Sequence, residues 1–218
     1  MPSNPSFCRL ARHYELLESL AFGPCLHRAR TAWIDRLAGA GSILLLGDGN
    51  GRFLSDLVRA NRGARIVSID SSPAMLDRAR QRIRQSDVRA FDRIEWRCAD
   101  LLDIPLPAGS FDAVVAHFFL DCFTEIEVTR ILAKVNASLT SRGRWFWSDF
   151  VIPEAGPGRI IAPTVVRLLY LFFRGQTGLH ARELPPLDRL RGTAGLRVTH
   201  TRSLLCGILR SSIWDRTD

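Results

Sequence analysis

From Ser42 to Leu54 the chain reads SILLLGDGNGRFL, and this stretch limits the fold more than any other. Four consecutive apolar residues, Ile43 to Leu46, suit a strand covered on both faces, as in parallel sheets. Gly47, Gly49 and Gly51 then interrupt it, and Phe53, Leu54, Leu57 and Val58 resume at helical spacing toward Asn61. Strand, glycine turn and helix together let backbone approach a ligand closely at a helix N-terminus.

From there the chain alternates. Residues 65–70 read as a second strand, and Ser72-Pro73 opens a helix to about Arg84, with Ser72 as its cap and Pro73 in its first turn. Residues 93–100 and 111–117 suit a third and a fourth strand. Thr124 caps a helix to about Leu139, and residues 144–150 suit a fifth strand. Strands separated by helices predict βαβ units with right-handed crossovers. Residues 196–204 and 207–214 alternate apolar and polar, which predicts an antiparallel hairpin on the sheet edge. Ahead of the first strand, Leu10, Tyr14, Leu17 and Leu20 mark one helix. Leu26, Trp33, Ile34 and Leu37 mark a second. The chain divides into N-terminal helices (1–41), a core (42–150), an apolar insertion (153–193) and a terminal hairpin (196–215), all in one domain of 218 residues.

The five cysteines are scattered without a C-x-x-C pair, which argues against zinc, other metal sites and a disulfide framework. The net charge of +8 comes from 29 arginines and one lysine, Lys134. These arginines are dispersed rather than clustered, so they argue against a nucleic-acid partner. The N-terminal region carries Arg9, Arg12, Glu15 and Glu18 and does not read as a signal peptide. The apolar stretch 160–173 is broken by Pro163 and Arg167 and is too short to span a bilayer. A cytoplasmic protein without an integral membrane segment is expected.

A nicotinamide dinucleotide fingerprint, G-x-G-x-x-G, would need glycine where Arg52 stands. Asp70, 19 residues beyond Gly51 at the end of the second strand, can accept both ribose hydroxyls or serve as a helix cap. Asp100 ends the third strand, where a carboxylate can accept from an adenine amino group. Three such landmarks at the carboxyl ends of consecutive parallel strands meet at one crevice.

With these residues in view, the sequence resembles the class I S-adenosylmethionine-dependent methyltransferases. The resemblance rests on ILLLGDGNGRFL, IVSIDSSPAMLDRA, RCADLLDIPLPAGSFDAVVAHFFLDCF and LTSRGRWFWSDF, over about residues 42–150. It implies an α/β, Rossmann-like, seven-stranded, mostly parallel sheet with an antiparallel last strand, helices on both faces and an N-terminal helical cap. It implies S-adenosyl-L-methionine as cofactor and small-molecule methyl transfer as activity. Gly47, Asp48, Gly49 and Gly51 would line the methionine and ribose side, and Asp70 the ribose. Ser71 and Met75 would lie near the adenine, Asp100 and Leu101 at its end, and His117 beside the sulfonium. Many relatives place an acid two residues before the first glycine, where this chain has Leu45, with Asp48 as a substitute.

In-line displacement at a sulfonium methyl needs mainly alignment, and a base only where the acceptor must lose a proton. His117, expected to titrate near roughly 6.5, and Asp149 are the candidates for that base. Asp121 reads as a helix-start residue. Tyr14 and Asp149 are candidates for contact with the acceptor. The insertion 153–193 is more apolar than one helix face requires. It suggests either edge packing or a lid over an apolar or aromatic, lipid- or quinone-like acceptor. RNA or protein methylation, a non-catalytic adenosyl-binding role and a nucleotide-dependent oxidoreductase stand as alternatives. The oligomeric state stays open.

Overall fold

The computed structural model describes residues 24–177, 181 and 183–217, with side chains described through Leu171 and again at 181 and from 183. Tyr14 and the first expected helix lie outside the described residues.

Seven strands form one sheet in the order β3-β2-β1-β4-β5-β7-β6. They are β1 (Ser42–Leu46), β2 (Arg65–Asp70), β3 (Ile94–Cys98), β4 (Phe111–His117), β5 (Leu139–Phe150), β6 (Leu196–Leu204) and β7 (Leu209–Arg216). The first five pair in parallel, while β7 runs antiparallel to β5 on one side and to β6 on the other. The expected terminal hairpin is therefore present. Its last strand inserts between β5 and β6, leaving β6 on the edge.

The two-residue period of the strands sorts the core onto two faces. Leu44, Leu46, Val114, Ala116, Trp145 and Trp147 pack under α5 (Glu125–Ser138) and α7 (Leu187–Thr193). Ile43, Leu45, Ile66, Val115 and Phe146 pack with Phe53, Leu54, Leu57 and Val58 of α2 (Arg52–Ala60) and Ile83 of α3 (Pro73–Ser86). A short α4 (Val88–Phe91) precedes β3. Leu45, two residues before Gly47, is buried in this second cluster, away from solvent.

Several boundaries differ from expectation. The second N-terminal helix is α1 (Cys25–Thr31) followed by a separate 3-10 turn, Ile34–Leu37. β5 begins at Leu139, which pairs with Phe111 ahead of a register shift. β7 starts at Leu209 because Leu205–Gly207 forms a 3-10 turn with Leu205 and Cys206 at positive φ. The apolar helix of the insertion, α6, runs from Pro157 to Thr177 and passes through Pro163.

Ser148, fully buried in β5, donates its hydroxyl to the Ala29 carbonyl at 2.9 Å. This bond ties α1 to the sheet beside the carboxyl end of β5. At the first turn of α2, Gly51 sits at φ +80°, and an added Cβ would lie 2.7 Å from Ala79 Cα in α3. Two helices meet there at backbone distance. Gly51→Ala combines left-handed strain with overpacking, and urea unfolding should show a loss of about 2 kcal/mol or more.

Candidate active site

The turn after β1 stays attached to the sheet because the Gly47 amide donates to the Ile69 carbonyl at 2.9 Å. Gly47, Gly49 and Gly51 all have positive φ, the conformation glycine adopts without a steric penalty. A Cβ at Gly47 would stand 2.4 Å from Phe119 Cδ2, so the chain leaving β4 lies directly over the turn. Gly49 has more room, with Met75 Sδ as its nearest neighbour at 3.9 Å from a built Cβ.

Asp70 organises this turn. Its Oδ2 accepts the Gly49 amide at 3.1 Å and its Oδ1 accepts the Ser72 amide at 2.8 Å. Burial raises its pKa, and these two bonds oppose the rise. Ser72, with Pro73 behind it, caps α3 by accepting the Met75 amide. Asp70 is thus a turn-former and a candidate ribose acceptor at once, since each carboxylate oxygen has a second lone pair.

Asp48 has a structural duty that the sequence did not reveal. Its Oδ2 accepts the Leu54 amide at 3.0 Å and so satisfies one of the N-terminal donors of α2. Burial raises it to about 7, against the backbone bond from Leu54 and the nearby Arg30 cation. Arg30 reaches this end of the crevice from α1, with its guanidinium 4.9 Å from the centroid of the Phe118 ring.

At β3, the Ala99 amide donates to the Asp70 carbonyl at 3.1 Å, which brings Asp100 beside the same crevice. Asp100 Oδ1 accepts the Leu102 amide at 2.9 Å. Ser71 is exposed at the crevice mouth. The Leu101 side chain is 3% exposed and packs in the core, so this residue can offer a ligand only its backbone. Its carbonyl accepts from Lys134, whose ammonium also donates to the Leu102 and Ile104 carbonyls, all within 2.9 Å. The chain's one lysine therefore ties down the loop after Asp100 from α5.

The carboxyl end of β4 departs most from expectation. His117 is buried edge-on against Phe53, with ring centroids 4.7 Å apart. Neither ring nitrogen has a hydrogen-bond partner among the described residues. Burial, aided by Arg30, lowers its pKa to about 3, not the expected 6.5. The imidazole is neutral at physiological pH. Phe118 follows at φ 52°, a strained conformation held by its amide bond to the Ser148 carbonyl at 2.7 Å.

Asp121 is a further correction. Thr124 caps α5 in a complete capping box with Glu127, and Asp121 instead pairs with Asp149. The Asp121 amide donates to Asp149 Oδ2 at 3.3 Å, which sets the two carboxyl groups side by side so that each feels the other. Asp149 is fully buried, and its pKa rises through desolvation and then through the Asp121 charge. Asp121 rises to about 6, also chiefly by desolvation. Two adjacent carboxyls in a poorly hydrated site retain a proton between them. Cys122 is exposed, and its thiol pKa is raised by desolvation and by the neighbouring Asp121 and Asp149 charges, so it stays protonated. The Tyr170 hydroxyl of α6 donates to the Asp121 carbonyl at 2.7 Å.

The structure thus gathers Gly47, Asp48, Gly49, Gly51, Asp70, Met75, Asp100, His117 and Asp149 at the carboxyl ends of the central strands. Arg30, Phe119, Asp121 and Tyr170 join them. No local pattern marks Arg30 or Tyr170, which reach the crevice through tertiary packing, while Phe119 and Asp121 lie in the stretch that follows the fourth strand. Among the described residues, no cluster of His, Cys, Asp and Glu could hold a metal ion.

A family model described as Methyltransferase domain matches residues 43–143. A demethylmenaquinone methyltransferase of Thermus thermophilus is 33% identical over 152 residues, covering 69% of this chain and 66% of that protein. The structure of a mitomycin 7-O-methyltransferase superposes with a TM-score of 0.70 at 20% identity, covering 97% of this chain and 60% of that one. A calicheamicin-biosynthesis methyltransferase, solved in its SAH-bound form, superposes with a TM-score of 0.66 at 21% identity, covering 95% of this chain and 57% of that one. The chain spans less than two thirds of the length of each of these relatives. Through its glycine turn, strand-end acids, sheet order and matched core, the chain belongs to the class I S-adenosylmethionine-dependent methyltransferases.

Proposed function

We propose that this protein transfers the methyl group of S-adenosylmethionine to a small apolar or aromatic acceptor, quinone- or phenol-like. The observation that carries the reading is the convergence of Asp48, Asp70, Asp121 and Asp149 around the glycine turn, each with a raised pKa. Buried carboxyls of this kind are stabilised by a cationic ligand, and a sulfonium with an ammonium group supplies two positive charges.

The residues present fit that cofactor. Asp70 has lone pairs for the ribose hydroxyls, the positive-φ glycines permit close backbone approach, and Met75 lines the turn beside Gly49. Asp100 and Ser71 would take the adenine end. Arg30, near Asp48, places a cation where the carboxylate of the amino-acid moiety needs one. When bound, S-adenosylmethionine supplies an electrophilic methyl on a good, neutral leaving group.

On the acceptor side, His117 shapes the wall as a neutral imidazole, because its depressed pKa makes it a poor base. The Asp121–Asp149 pair is better suited to take a proton from an acceptor hydroxyl, since a pair sharing one proton has one anionic charge left to accept it. Tyr170 braces the Asp121 backbone. The relatives' names, one for demethylmenaquinone and one for mitomycin, support a small organic acceptor.

Calorimetry should show binding of S-adenosylmethionine and S-adenosylhomocysteine and none of NAD; binding of NAD alone would overturn the proposal. Asp70→Ala should weaken S-adenosylmethionine binding by roughly a hundredfold, as loss of charge-assisted hydrogen bonds implies. Asp149→Asn should weaken that affinity far less than Asp70→Ala, because it removes one of several acids near the cation and no direct bond to the ribose. Its turnover of hydroquinone or phenolic acceptors, followed by S-adenosylhomocysteine release, should fall by roughly 10²-fold or more. An Asp149→Asn enzyme with parental turnover would remove Asp149 from the reaction.

The protonation states also set a stability profile for the cofactor-free protein. Asp48 titrates at about 7 when folded, against 3.8 for the unperturbed group. A raised acid contributes stability that is complete below the unfolded value and lost as pH climbs through the folded one. Chemical unfolding should therefore show stability declining from about pH 4 to pH 7, on the order of 2 kcal/mol after allowance for partial exposure of Asp48. Asp48→Asn should flatten that slope.

A further inference from the structure

The helix α6 is apolar on both sides, and only one side packs against other apolar residues among the described ones. Gly158, Ala162, Val166 and Tyr170 recur every fourth residue and are buried. Ala162, Val166 and Tyr170 pack with Leu26, Phe150, Ile208 and Leu209. Gly158 approaches the 3-10 turn so closely that an added Cβ would collide with the Cys206 carbonyl. The opposite side carries Ile160 at 81% exposure, Leu168 at 61%, Leu171 at 58% and Ile161 at 50%. At 3.6 residues per turn these four lie within roughly 100° of the helix circumference.

We infer that this outer face of α6 docks on an anionic lipid surface. Isolated exposed apolar residues are ordinary, but a contiguous stripe of large ones marks a surface that meets something apolar. The charge pattern selects the occupant. From Pro157 to Thr177 the sequence holds three arginines and no acid; Arg167 is exposed at the edge of the apolar stripe, and Arg159 is exposed in the first turn of the helix. The nearest preceding acid, Glu154, lies outside the helix. A second copy of the chain seated on this face would bring the arginines of both copies together with no acid from either helix to pair them. Anionic headgroups neutralise the arginines while acyl chains cover the isoleucines and leucines. No helix among the described residues is long and apolar enough to cross a membrane, so α6 lies on the surface rather than spanning it. The face does not depend on the cofactor reading. Tyr170, on the inner side of the same helix, joins α6 to Asp121, so a docked surface sits about one helix diameter, ~10 Å, from the acid pair.

Co-sedimentation of the full chain with vesicles tests the inference. Binding to vesicles containing phosphatidylglycerol should exceed binding to pure phosphatidylcholine by roughly tenfold at low ionic strength and weaken with added salt. The variant Ile160→Ser/Leu168→Ser/Leu171→Ser should lose roughly tenfold of that binding. Its circular dichroism and S-adenosylmethionine affinity should stay at parental values, since the three side chains face solvent. Arg159→Gln/Arg167→Gln should keep weak binding and lose the preference for anionic lipid. Parental protein that binds neither vesicle, or a triple serine variant that binds as well as the parent, would overturn the inference. So would a parental dimer, seen by sedimentation velocity, that the triple variant converts to monomer.

Discussion

The Asp70 carboxylate accepts one amide from the glycine turn after β1 and one from the turn that starts α3. Through these bonds two consecutive βα connections are held in a single geometry, and the main-chain carbonyl of the same residue takes the Ala99 amide from the end of β3. Three strand ends are thus registered on one residue. The carboxylate is buried to achieve this, and its raised pKa reflects the desolvation. A site built this way is preorganised: groups facing a ligand are already oriented by the bonds that keep the loops folded.

The same economy recurs around the crevice. Asp48 caps α2 and Lys134 clamps the loop beyond Asp100. Ser148 anchors α1, whose Arg30 brings a cation close enough to act on Asp48 and His117. The crevice is acidic although the protein as a whole carries a net charge of +8, so overall charge says little about the ligand and the local field decides it. The basic excess matters at the surface, and α6 is where it coincides with exposed apolar area.

Much of the fold was legible in the sequence because its signals are local. Ile43 to Leu46 predict a doubly covered strand, Ser72-Pro73 predicts a helix start, and Thr124 predicts its cap from one turn of sequence. Each is present where expected. The less legible features arise where two distant segments share one residue's environment. Trp33 belongs to a different element from Leu26 because α1 ends at Thr31. Leu139 joins β5 because it meets Phe111, which no periodicity around Leu139 indicates.

The same division runs through the site. Sequence alone determined the strand–glycine turn–helix unit, the acids at the ends of β2, β3 and β5, and the absence of a third dinucleotide glycine at Arg52. These depend on residue type and spacing within one βα unit. Tertiary structure decided what those groups can do. It buried His117 against Phe53 and so kept its imidazole neutral, and it set Asp121 against Asp149 so that the two retain a proton. It also turned four large apolar residues of α6 toward solvent. Protonation and exposure depend on how much water and which charges surround a group, and only packing between elements far apart in the chain sets that environment.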